Sequence, residues 1–166
     1  MTPEETVGHL AARLHETGFT VQQVQIGPTP TYVGHKRVMH WPTLTSMHVF
    51  TAIGHATHPQ YADTAAYTHA VLHYASKHKP GLPLGLQTGV LAPAFLVVPA
   101  TDDAMRHIVA ERMPPRRFAA IGESVLVDAH YGRYLRHQGR RLVGGAYNKT
   151  ISRTIEATTA GILLPG

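Results

Sequence analysis

The chain has 166 residues, fifteen basic and ten acidic side chains, a formal charge of +5 and 43% hydrophobic residues. A chain this long buries roughly 70% of the surface it exposes when unfolded, so it needs no covalent staple. Zero cysteines exclude a disulfide framework, a thiolate metal site and a cysteine nucleophile.

Thr2 is placed to cap a first helix over Pro3 to Thr17, with Pro3 in its first turn and Glu4 and Glu5 at its positive dipole end. Val7, Leu10, Ala11 and Leu14 recur at helical spacing, and Gly18 is placed to stop the helix. Three strands follow, over Phe19 to Ile26, Tyr32 to Trp41 and Leu44 to Ile53, with turn chemistry at Gly27-Pro28-Thr29-Pro30. Short connections favour an antiparallel meander. A second helix spans Gln60 to His78. The run Val90 to Val98 reads as a strand buried on both faces, although Pro93 lies inside it. A short helix over Asp102 to Arg112, with Thr101 as its expected cap, precedes extended pieces at Phe118 to Ile121 and Val125 to Asp128. A hairpin to Arg133–Arg136 and a last helix from Ala146 to about Thr159 complete the pattern. The apolar tail Ile162-Leu163-Leu164 is expected to pack on the domain or on a partner. The expected order is α-β-β-β-α-β-(α)-β-β-α: one α+β domain over residues 1–166, with a mainly antiparallel sheet covered by helices.

No apolar run approaches the roughly 18 residues of a membrane helix, and the acidic start carries no signal-peptide pattern. The expectation is a cytoplasmic protein without a membrane partner. Between Ala129 and Ile155 stand Arg133, Arg136, Arg140, Arg141, Lys149 and Arg153, with no acid among them. Such a run attracts phosphate, nucleic acid or an acidic protein, or simply forms a solvated face. Thirteen histidines would more than triple the formal charge if all were protonated, so solution behaviour should vary between about pH 5 and 7.

His69 and His73, four apart on the second helix, share one face and are candidate metal ligands, with His55 or His58 as a third. The zincin glutamate is missing, and an exposed histidine face explains the pair more simply. The glycine- and proline-rich loop Leu82 to Thr88 is where a pocket is expected, with Gln87, Thr88 and Asp128 as candidate lining residues. Asp63, Glu123 and Asp128 are the acids left once helix-end positions are explained, and Asp128 beside a turn suits a structural role. Tyr131, Tyr134 and Tyr147 are candidate exposed aromatics. There is no phosphate-loop motif and no nucleophile elbow. No catalytic residue is assigned, and no cofactor is called for.

At Lys79-Pro80-Gly81-Leu82-Pro83-Leu84-Gly85-Leu86-Gln87-Thr88-Gly89, Phe118-Ala119-Ala120 and Val125-Leu126-Val127-Asp128, the chain resembles an uncharacterised prokaryotic family over about residues 44 to 155. That resemblance carries no activity and no site residues. The element order is also similar to that of secretion-chaperone-like proteins, which dimerise and bind polypeptides. Roughly the first hundred residues are similar in order to the PD-(D/E)XK nucleases, which hold Mg²⁺ on strand carboxylates. Thr31 to Ile53 contains no acid, so that catalytic motif is absent. The leading expectation is a non-catalytic binding module, homodimeric or holding a protein partner. The alternatives are a nucleic-acid-associated protein with a basic C-terminal face, and a small enzyme or ligand binder with a histidine-rich site.

Overall fold

The computed structural model describes residues 1–41, 44–57, 61–112, 115–138 and 145–166, the side chains of 61–63 and 145–146 excepted. Its elements are α1 (Pro3–Glu16), β1 (Thr20–Ile26), β2 (Thr29–His40), β3 (Thr45–His55), α2 (Tyr61–His78), β4 (Thr88–Val98), α3 (Asp103–Glu111), β5 (Arg116–Arg117), β6 (Ala120–Asp128), β7 (Arg133–Arg136), α4 (Gly145–Thr159) and β8 (Leu164–Pro165). The fold is α+β, an eight-stranded mixed sheet ordered β1-β2-β3-β4-β6-β7-β8, with β5 paired to β6.

The first helix begins as its sequence dictates. Thr2 Oγ1 accepts from the Glu5 N–H at 3.2 Å and Glu5 Oε2 accepts from the Thr2 N–H at 2.8 Å. These reciprocal bonds satisfy two donors left over at a helix start. Leu10 and Leu14 are fully buried.

The strands joined by short connections pair antiparallel: β1 with β2, β2 with β3, and β6 with β7. The centre is parallel. The α2 crossover returns the chain beside β3, and the segment carrying α3 returns it beside β4, so β3, β4 and β6 run in one direction. β4 is buried along its whole length, which explains its unbroken apolar run. Pro93 is accommodated inside it. The β3–β4 pairing runs to Val49↔Leu91 and resumes in the same register at Ala52↔Ala94, leaving a gap where proline has no N–H to give.

Helices cover both faces. Leu10, Leu14, Val49, Phe95, Val125 and Ile155 belong to the core under α1 and α4. Phe50, Leu72, Val90, Leu96, Met105 and Leu126 belong to the core under α2 and α3. Each such side chain contributes about 1.5–3 kcal/mol of burial. The apolar tail packs on the domain itself: Leu163 is buried, and Leu164–Pro165 pairs parallel to β7.

The third helix has a different cap from the one expected. Asp102 accepts from the Met105 N–H at 2.7 Å, while Thr101 turns its N–H and hydroxyl toward Asp128 Oδ2, at 2.7 and 2.6 Å. Asp128 Oδ1 takes the Tyr131 N–H at 2.9 Å. This buried carboxylate therefore ties the start of α3 to the β6–β7 turn. No helix among the described residues is long and apolar enough to cross a membrane.

Candidate functional site

Strand alternation sends His35, Arg37 and Met39 of β2, and Ser46, His48 and Phe50 of β3, to the α2 face of the sheet. Antiparallel register then sets His35 opposite Phe50 and Arg37 opposite His48, so the two histidines are diagonal neighbours. His35 Nε2 lies 3.0 Å from His48 Nδ1. The His35 ring stacks on Phe50 at 4.5 Å between centroids and lies within 9° of parallel to His48. Arg37 Nε donates to Ser46 Oγ at 2.6 Å.

The segment after α2 folds over this floor and leaves a cleft of about 430 Å³, lined by His35, Arg37, Ser46, His48, Leu82 and Gln87 among others. None of its described lining residues is acidic. Lys79 donates to the Leu82 carbonyl and so pins the covering loop. The Gln87 carbonyl accepts the Ser46 N–H at 2.9 Å, and Thr88 Oγ1 donates to the Ser46 carbonyl at 3.3 Å, fixing the loop's far end to β3.

One proton serves the hydrogen bond between the imidazoles, so one ring donates and the other accepts. Burial holds both rings below the ordinary imidazole value, and for His48 the charges of His35, Lys79 and Arg37 act in the same direction. At neutral pH the pair is uncharged, and an anion placed beside it would draw a proton onto it. The C-terminal end of α2 brings partial negative charge, which Lys77 and His78 in its last turn oppose.

Backbone conformation marks the same end of the sheet. The non-glycine residues with positive φ among those described are Leu44 at 50°, Gln87 at 55° and Ala119 at 53°. They immediately precede β3, β4 and β6. Strained backbone of this kind concentrates where a surface is built for a purpose.

The residues singled out from sequence separate in space. Gln87 and Thr88 do line a cleft, but Asp128 pairs with Val98, at the far end of β4 and roughly 30 Å along the strand from Thr88. That separation keeps the three from forming one pocket, and Asp128 spends its acceptors on Thr101 and Tyr131. His69 and His73 are exposed on α2, and His55 instead sits 3.6 Å from Glu4. No three histidine or acidic side chains converge as a metal site among the described residues, and His58 lies outside those residues.

The basic run does not form a single face either. Arg133 shares a cavity with Thr101 and Arg106, whereas Arg136, on the opposite face of the sheet, donates to Ser152 at 2.9 Å. Lys149 and Arg153 are exposed on α4, and Arg140 and Arg141 lie outside the described residues. Glu123 is buried beneath α4 in a cavity of about 400 Å³ shared with Arg136, His137 and Asn148. Of the three tyrosines expected at the surface, Tyr131 is exposed, Tyr134 is buried and Tyr147 is half-buried against His40.

Sequence reasoning missed His35, Arg37, Ser46 and His48. The signal was present: once β2 and β3 are read as a hairpin, alternate residues of each strand share a face. No family model, curated protein or solved structure matches the chain.

Proposed function

We propose that the protein is a binding module for a phosphate-bearing ligand, seated in the cleft between β2, β3 and the loop after α2. The observation that carries this reading is the His35–His48 pair set beside Arg37 and Lys79, in a cleft whose described lining holds no carboxylate. Arginine supplies a planar fork for phosphate oxygens, and the imidazoles add proton-dependent donors. The leading expectation of a non-catalytic module is retained, with the ligand's chemistry made specific.

The test is thermal unfolding with increasing inorganic phosphate, at pH 6 and pH 8. Phosphate is expected to raise Tm in the unmodified protein, more at pH 6 than at pH 8, since bound anion takes up a proton through the imidazole pair. Arg37→Gln and His48→Gln are expected to abolish the rise, and Lys149→Gln with Arg153→Gln to leave it intact. A rise that survives in the first two variants and vanishes in the last would overturn the proposal and return the anion site to α4.

A further inference from the structure

We propose that the surface surrounding this cleft binds single-stranded nucleic acid, with one phosphate held in the cleft and bases stacked on Trp41 and Phe118. This rests on the phosphate reading above and names its source. Of the nine large apolar side chains exposed among the described residues, six stand at this one end of the sheet: Met39, Trp41, Leu44, Leu82, Leu86 and Phe118. Exposed apolar residues scattered singly need no explanation, but a cluster around a polar cleft marks an interaction surface.

The arrangement specifies the partner further. Trp41 is 74% exposed just beyond β2 and Phe118 is 81% exposed just before β6. The strands β2, β3, β4 and β6 are consecutive in the sheet, so the two strand ends that these aromatic residues flank are three strand spacings apart, about 14 Å. That interval is a few nucleotides of an extended strand, and the cleft opens between them. Phe118 is set by its neighbour: a Cβ on Gly85 would lie 2.2 Å from the ring, so the ring rests directly on that glycine. The cations follow the same line, with Arg37 and Lys79 at the cleft and Arg116 and Arg117 exposed immediately before Phe118.

A cationic track interleaved with exposed rings is what an unpaired strand requires, because every base offers a face and every step a phosphate. A duplex keeps its bases stacked on one another and offers these rings nothing. An anionic membrane surface would also meet cations and apolar side chains, but it has no use for a recessed hydrogen-bonding floor of two imidazoles, an arginine and a serine.

Trp41 is the sole tryptophan, so its fluorescence reports this surface directly. Titration of the full chain with oligothymidylate and with oligouridylate is expected to quench it, whereas inorganic phosphate does not. Measured by anisotropy of a labelled oligonucleotide, Trp41→Ala and Phe118→Ala are each expected to weaken binding about tenfold. Arg116→Gln with Arg117→Gln is expected to flatten the salt dependence.

Four results would overturn the proposal: oligonucleotide binding unchanged in both aromatic variants; duplex bound as tightly as single strand; no oligonucleotide binding at all; or vesicles of phosphatidylserine and phosphatidylcholine shifting the Trp41 emission while oligonucleotides do not. If phosphate still raises Tm through Arg37 and His48 under any of these, the cleft reading stands alone. If that rise is absent too, both fail.

Discussion

Replacing Asp128 by asparagine tests whether this carboxylate is the clamp that the structure describes. It is 2% exposed and accepts three bonds: from the Thr101 N–H and hydroxyl on Oδ2, and from the Tyr131 N–H on Oδ1. An asparagine of the same shape has one acceptor oxygen, so its NH2 must face a donor on one side. The loss is one or two bonds to a charged acceptor, each worth about 1.5–3 kcal/mol, with a backbone N–H left unpaired in the least favourable orientation. A loss of about 1.5–6 kcal/mol follows, or roughly 3–24 °C in Tm for a chain of this size.

The pH dependence distinguishes this account from a loss of packing. Burial alone raises the Asp128 carboxyl, but the Thr101 hydroxyl, the Tyr131 and Thr101 N–H groups and the Arg106 charge together bring it below its ordinary value. A carboxyl depressed in the folded state contributes stability that is present above its unfolded pKa, near 4, and is lost as pH falls through the folded value. Urea unfolding of both proteins between pH 7 and pH 2.5 should therefore show a constant gap down to about pH 5, shrinking below pH 4. A gap under about 0.5 kcal/mol at pH 7, or one unchanged at the acid end, would refute the clamp.

The histidine pair carries a signature of the same sign in a higher pH window, readable near neutrality. Both imidazoles titrate lower in the fold than in the unfolded chain. Their neutral burial therefore favours the fold fully above about pH 6.5 and less as pH falls from there toward the folded values. Melting curves without phosphate should show the unmodified protein losing more Tm between pH 7 and pH 5 than His48→Gln does; equal losses would place the pair outside the effect. Gly85, at φ +89°, can be changed to alanine at a cost of about 1–2 kcal/mol for the left-handed backbone. Because Phe118 is the exposed end of a side chain, its ring can swing away from the new Cβ. Denaturant unfolding of Gly85→Ala in a Phe118→Ala background should show the same loss, and relief there would trace the cost to the ring.

Most of the element pattern was legible in the sequence because it is set locally. Helical apolar spacing, proline and glycine punctuation and the uninterrupted run of β4 each report a period or a break that needs no knowledge of distant residues. The α+β class and the meander followed from these signals. The parallel centre did not follow as directly, since it depends on where a crossover lands. Thr101 looked like the cap of α3 because threonine caps well, but the buried carboxylate of Asp128, 27 residues away, claims it. The candidate site was half legible. Gln87 was singled out from its loop, while His35 and His48 come together through the pairing register of two strands. His69 and His73 were singled out from helix geometry alone; both are exposed, and no third ligand joins them among the described residues.

In sheets with a parallel centre, ligand crevices ordinarily lie outside the carboxyl ends of the strands, and here that end is the rival location. Beyond β3 and β4 it carries a cavity of about 560 Å³ bounded by Ile26, Pro28, Thr29, Tyr67, Ala70 and Leu96, among others. The titratable groups of its lining are already engaged. The Tyr67 hydroxyl donates to Thr31 at 3.3 Å, and burial pushes its pKa up, so it stays protonated. His55 faces Glu4, and the neighbouring Asp128 is spent on Thr101 and Tyr131. The amino ends of β3, β4 and β6 are different in kind. There three residues hold left-handed backbone, two imidazoles share one proton, and the cations beside them have no carboxylate among the described residues lining the cleft. A site is recognised by chemistry left available, and on that measure the amino end outweighs the customary one. Phosphate protection is expected to disappear in Arg37→Gln and to persist when the carboxyl-end cavity is filled by Ala70→Leu; the reverse would move the site to the carboxyl end.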